Sequence, residues 1–182
     1  MKNLSAKKLA FLGVFTAIIT LATAYLFIPN GIGYTNLGDG FIMLSAMLFG
    51  PYFALIAGGL GSCLANIILG YTAYAPFTLI VKGLEGLICG LIVNKLIKTK
   101  LNAHFSIIIS MLIATLIMVL GYFLTNCILY SVEGGISSIP NDFIQAGIGI
   151  VVGYLLTYAL SKIKGLKGTI NNILWEKENE KN

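Results

Sequence analysis

The sequence predicts an all-α fold: an integral membrane bundle of six transmembrane helices with both termini cytoplasmic. Three observations carry that expectation. The 182 residues are 57% hydrophobic and only 10% charged, with a mean hydropathy of +0.89, whereas soluble domains carry about 25% charged residues. The apolar residues fall in runs close to the ~20 residues that cross a bilayer. The lysines gather at alternate ends of those runs.

Span 1, about residues 9–28, follows Lys7 and Lys8. Ala22-Thr23-Ala24 has the form of a signal-peptide cleavage site. The apolar run nevertheless continues to Ile28, so the span is expected to be retained, with Pro29-Asn30-Gly31 ending it. Span 2, about 38–49, is short for a crossing. Gly50-Pro51 marks a turn, with proline suited to the first position of span 3, about 51–69. A loop from Gly70 to Pro76 leads to span 4, about 77–96. Span 5, about 105–130, follows a lysine-bearing loop. Ser131 to Asp142 is rich in Gly, Ser and Pro and reads as a loop before span 6, about 143–160. Residues 161–182 form a polar tail. No repeat divides the chain, so 1–182 reads as a single membrane domain.

Basic residues mark cytoplasmic segments. Lys2, Lys7 and Lys8 precede span 1; Lys95, Lys98 and Lys100 follow span 4; Lys162, Lys164, Lys167, Lys177 and Lys181 follow span 6. The loops after spans 1, 3 and 5 hold no lysine, only Asp39, Glu133 and Asp142. Six spans put every lysine of the termini and loops on one side; five would not, and this parity supports the short span 2. Lysines spread over span ends do not form a nucleic-acid surface, so no nucleic-acid partner is expected. Cys63, Cys89 and Cys127 lie in apolar runs, where thiols act as small apolar side chains. His104 stands alone beside a lysine-bearing loop and reads as solvated. There is no metal-binding spacing and no HExxH, GxSxG or phosphate-loop motif. Neither a metal, a cofactor nor an enzyme is expected.

Lys82 and Glu85 are the only ionisable residues well inside an apolar span. Three positions apart, they share a helix face, on the order of 8 to 12 Å below the outer surface by helix rise. Such charges cost several kcal/mol unless paired or wetted. They either pair with each other or reach a polar ligand. Other polar residues converge at the same depth. Tyr34, Thr35, Asn36 and Asp39 come from the first outer loop, and Tyr71 and Tyr74 from the second, where tyrosines also serve as interface anchors. Tyr122, Thr125, Asn126 and Tyr130 follow helical spacing in span 5, and Asn141, Asp142 and Gln145 open span 6. The inner half shows no comparable polar face, so a through-channel is not expected. Phenol rings, amides, hydroxyls and a carboxylate suit a small, flat, polar molecule. The expected substrate-binding set is Tyr34, Asn36, Asp39, Tyr74, Lys82, Glu85, Tyr122, Asn126, Tyr130 and Gln145.

Small residues recur at helical spacing: Ala54, Gly58, Gly61 and Ala65 in span 3, Gly83, Gly86 and Gly90 in span 4, and Gly149 and Gly153 in span 6. Such stripes let helices approach closely in lipid, and internal packing is expected of these three. The stripe Ala6, Ala10, Gly13 and Ala17 in span 1 either packs internally or docks a partner helix.

The chain resembles the substrate-binding membrane subunits (S components) of energy-coupling factor, or ECF, vitamin transporters. The resemblance rests on size, topology, the span-1 stripe, and the runs Tyr34-Thr35-Asn36-Leu37-Gly38-Asp39 and Lys82-Gly83-Leu84-Glu85-Gly86. These runs are similar to the branch that covers riboflavin, hydroxymethylpyrimidine and pyridoxine carriers, with queuosine-precursor carriers in the same superfamily. The resemblance implies capture of a vitamin-like molecule near the outer face of a bacterial cell membrane, under the first outer loop. It also implies a transmembrane coupling subunit docked on Ala6, Ala10, Gly13 and Ala17, two cytoplasmic ATPases, and toppling of the loaded subunit in the bilayer. The rival readings are a self-sufficient oligomeric transporter and a ligand-free membrane interaction protein.

Overall fold

The computed structural model of the protein describes residues 6–29, 34–99 and 101–162. Lys2, Lys100, the Asn30-Gly31 stop and the expected tail from residue 163 onward lie outside them. Six helices form one bundle: α1 (Ala6–Tyr25), α2 (Gly38–Phe49), α3 (Pro51–Ile68), α4 (Ala75–Leu96), α5 (Ala103–Leu129) and α6 (Val132–Ser161). Five are long and apolar enough to cross a membrane; α2 is the short one. At 12 residues, α2 measures about 18 Å, against a hydrocarbon core of about 30 Å. It still returns the chain to the opposite end of the bundle. Its last residue, Phe49, meets Phe11 and Phe15 early in α1 and stacks on Phe53 at the start of α3. The parity expected from the lysines is therefore kept.

Two boundaries differ from the sequence reading in kind, while the others shift by three residues or fewer. Span 1 does not run to Ile28: the helix stops at Tyr25, and β1 (Phe27–Pro29) pairs antiparallel with β2 (Tyr34–Asn36). Leu37 N–H closes this hairpin on the Leu26 carbonyl at 3.1 Å. Span 6 does not begin at Phe143. Ser131 to Asp142, expected as a loop, is helix from Val132 onward. The residues taken as loop formers have other work. Ser131 caps the helix by accepting from Gly134 N–H. Ser137 and Ser138 donate back to the Gly134 and Gly135 carbonyls. Gly135 lets α6 lie against α5, since a Cβ there would meet Cys127 Sγ at 2.5 Å and the Phe123 carbonyl at 3.0 Å. Pro140 sits within the helix, as membrane helices tolerate.

The small-residue stripes of α3, α4 and α6 face inward. Ala54, Gly58, Gly61 and Ala65 are all buried. Gly86 and Gly90 meet the backbone of Ala54 and Pro51, while Gly149 and Gly153 meet Asp39 and Met43. The α1 stripe is the exception: Ala6, Ala10, Gly13 and Ala17 are exposed, and nothing lies within 4 Å of a Cβ built on Gly13. The core centres on α2, whose Met43 and Met47 pack with Ile107, Met111, Cys89 and Val93. Leu112, Leu116, Leu120 and Leu124 form an exposed apolar ridge on α5, as a lipid-facing helix surface does. His104, expected to be solvated, is half-buried and shares a hydrogen bond with Tyr154 Oη at 2.9 Å.

Candidate ligand-binding site

The hairpin end of the bundle contains a recess of about 590 Å3, its open mouth included, which is the scale of a small-molecule site. Helical spacing builds its walls. Tyr74, Thr78 and Lys82 line one face of α4 and its cap; Ser62 and Asn66 come from α3; Tyr122 and Asn126 from α5; Ser138, Asn141, Asp142 and Gln145 from α6. Tyr34 and Asn36 of the hairpin, Thr23 of α1 and Tyr71 complete it.

Lys82 is the centre of the arrangement. It lies seven residues into α4, about 10 Å below its start, and is only 1% exposed. Its ammonium donates to Asp39 Oδ1 at 2.5 Å and to Glu85 Oε2 at 3.0 Å, and lies 5.3 Å from the centre of the Tyr122 ring. The Lys82–Glu85 pair foreseen from spacing therefore exists, with a second carboxylate beside it. Asp39 is not in an open loop: it sits in the first turn of α2, fully buried. Gln145 Nε2 donates to its other oxygen at 2.9 Å. In turn Gln145 Oε1 accepts from Asn36 N and Nδ2 at 3.2 and 3.4 Å. One polar chain thus joins the hairpin, α6, α2 and α4.

A second chain runs across the recess. Tyr34 Oη donates to Asn66 Oδ1, Asn66 Nδ2 donates to Thr78 Oγ1 at 2.6 Å, and Thr78 shares a hydrogen bond with Tyr122 at 3.2 Å. Tyr74 Oη donates to Asn126 Oδ1 at 2.5 Å. Burial raises the Tyr34 and Tyr74 phenols above their usual range, so both stay neutral donors. Aromatic edges and faces, amides, and one ammonium held by carboxylates offer stacking and hydrogen bonding but no free cation.

Residues 3–162 match the family described as "ECF-type riboflavin transporter, S component". The chain belongs to this family. It is a multi-pass membrane S component, and its activity is transport in vitamin uptake. Three relatives bear on it. A protein of Pyrococcus woesei, described as an uncharacterized protein in the gap 3' region, is 41% identical over 136 residues, 74% of this chain and 87% of its own. The thiamine precursor transporter HmpT of Lactococcus lactis subsp. cremoris is 29% identical over 94% of this chain and 95% of its own. A UPF0397 protein of Lacticaseibacillus casei is 28% identical over 90% of this chain and 94% of its own.

Of the ten residues expected to bind substrate, seven line the recess of this S component: Tyr34, Asn36, Tyr74, Lys82, Tyr122, Asn126 and Gln145. Asp39 and Glu85 do not line it; they hold Lys82 from behind. Tyr130 does not line it either. It is 61% exposed and stands beside the recess, its ring centre 6.2 Å from that of Tyr74. The sequence reading left out Thr23, Ser62, Asn66, Thr78 and Ser138. The signal was present in the i, i+4 pairs Ser62/Asn66 and Thr78/Lys82, which share faces on α3 and α4.

Tyr34→Phe is expected to loosen the hairpin without unfolding the bundle. It strips Asn66 Oδ1 of its donor, a loss of about 1–3 kcal/mol. Amide hydrogen exchange at residues 34–36 should rise, with helix-core exchange unchanged; unchanged hairpin exchange would contradict this.

Proposed function

We propose that this S component captures an unphosphorylated heteroaromatic vitamin or precursor in the recess. The candidate class is riboflavin, hydroxymethylpyrimidine, pyridoxine or a queuosine precursor. The observation that carries the reading is the buried Lys82 ammonium, which lines the recess while Asp39 and Glu85 neutralise it. It can orient a polar substituent but has no unbalanced charge for a phosphate. The chain contains no arginine, the residue suited to bidentate phosphate recognition. Asp142 adds another carboxyl group to the lining. The similarity to HmpT over nearly the full length supports the thiamine-precursor end of the class.

In this reading the hairpin end faces outward and both termini are cytoplasmic, in accord with the lysine distribution. The exposed face of Ala6, Ala10, Gly13 and Ala17 docks a transmembrane coupling subunit. Two cytoplasmic ATPases supply the energy, and the loaded subunit topples to release its cargo. Mass spectrometry of what co-purifies, followed by titration with the four candidates, tests the capture. Tight binding of one is the expected result; no bound compound and no binding would overturn the reading. Uptake should also require the coupling subunit and ATPases in proteoliposomes. A further expectation concerns charge: riboflavin and pyridoxine 5'-phosphates should bind at least about 100-fold more weakly than any parent compound that binds. Competition titration measures this, and equal affinity would contradict it.

A further inference from the structure

Most helix hydroxyls in this bundle follow a rule, and Thr78, which does not, is satisfied by Asn66 and Tyr122. Thr16 donates to the Leu12 carbonyl, Thr20 to the Thr16 and Gly61 carbonyls, and Ser110 to the Ile107 carbonyl. Thr125 and Thr157 donate to the Gly121 and Gly153 carbonyls. In each case a carbonyl of the same helix, one turn back, supplies a partner. Thr23 Oγ1 on α1 and Ser62 Oγ on α3 depart from it: both are buried and neither has a partner. Thr23 is 2% exposed and Ser62 1%, and both line the recess. Buried hydroxyls without partners are costly and rare. The neighbouring amides are already engaged, Asn66 with Tyr34 and Thr78, Asn36 with Gln145 and Gly38. The Thr20–Gly61 contact at 2.9 Å fixes α1 against α3 just beside them.

We propose that Thr23 and Ser62 form a specificity subsite that hydrogen-bonds a polar edge of the captured molecule. Each hydroxyl both donates and accepts. The pair therefore suits an edge in which a ring nitrogen stands beside an amino, carbonyl or hydroxyl group. The subsite rests on the capture reading above. It gives α1 contact with the cargo through Thr23, while its small-residue stripe stays exposed.

The test uses Thr23→Val, Ser62→Ala and Thr23→Ser in the full chain in detergent. Riboflavin, hydroxymethylpyrimidine, pyridoxine and a queuosine precursor serve as calorimetric probes. For any probe that the wild type binds, Thr23→Val and Ser62→Ala should each weaken affinity about tenfold, and Thr23→Ser should keep it. The ligand-free melting temperature should be unchanged or higher, because each of the two substitutions removes an unpartnered polar atom. Wild-type affinity in both variants would overturn the subsite, leaving water as the hydroxyls' partner and the capture reading standing. So would a loss of ligand-free stability alongside affinity, which marks a structural role. If no probe binds the wild type, the capture reading fails and the subsite with it.

Discussion

Lys82→Met is expected to destabilise the protein by about 3–5 kcal/mol, the scale of breaking a buried ion pair by removing one partner. The substitution leaves Asp39 and Glu85, both fully buried, with no cation between them. Glu85 Oε1 already lacks a hydrogen-bond partner, so nothing local absorbs the loss. Thermal unfolding in detergent should show a large fall in melting temperature. The triple variant Lys82→Met/Asp39→Asn/Glu85→Gln should recover most of it, since neutral groups are cheaper to bury. The triple variant should still fail to bind ligand, because the ammonium facing the recess is gone. A single variant that melts like the wild type would remove Lys82 from the centre of the structure. A triple variant that binds normally would remove it from the site.

Gly86→Val/Gly90→Val is the second large expected effect. A Cβ at Gly86 would sit 2.7 Å from the Ala54 carbonyl oxygen, and one at Gly90 would sit 2.6 Å from Pro51 Cα. Both neighbours are backbone, so α3 itself must shift. Overpacking at two such points should cost about 3 kcal/mol or more and yield little folded protein by size-exclusion chromatography. Gly13→Leu is the control, because its Cβ position is empty. That variant should fold and bind ligand as the wild type does, yet lose co-purification with the coupling subunit. Normal folding of the double valine variant would contradict the close α3–α4 seam.

The contrast between these glycines shows what the sequence made legible. Spacing alone marked the stripes, and lipid as solvent explains why they matter. Only the assembled bundle separates the α1 stripe, which is open, from those of α3, α4 and α6, which are filled. Lys82 and Glu85 were legible because a charge in a membrane span has few explanations. Asp39 was misplaced because its polar neighbours Tyr34 to Asn36 resemble a loop, while its partner lies 43 positions away. The start of α6 was hidden for a similar reason. Gly135 and Ser138 read as turn formers in water, but in the bundle they allow a close approach to α5 and satisfy a helix carbonyl. Ser62, Asn66 and Thr78 were not legible as site residues, because a single hydroxyl or amide in a greasy run says little until its neighbours across the bundle are known.

The shortness of α2 has a geometric consequence. Ten of its 12 residues are buried among the other helices, so no lipid has to adapt to its missing length. The shortfall against the hydrocarbon core is about 12 Å, and the recess opens at the hairpin end, where α2 begins. Lys82 lies near that depth, tethered to the first turn of α2. The vestibule is thus the vacant top of a truncated column. Two or three extra helical turns there would turn a receptor into a solid plug.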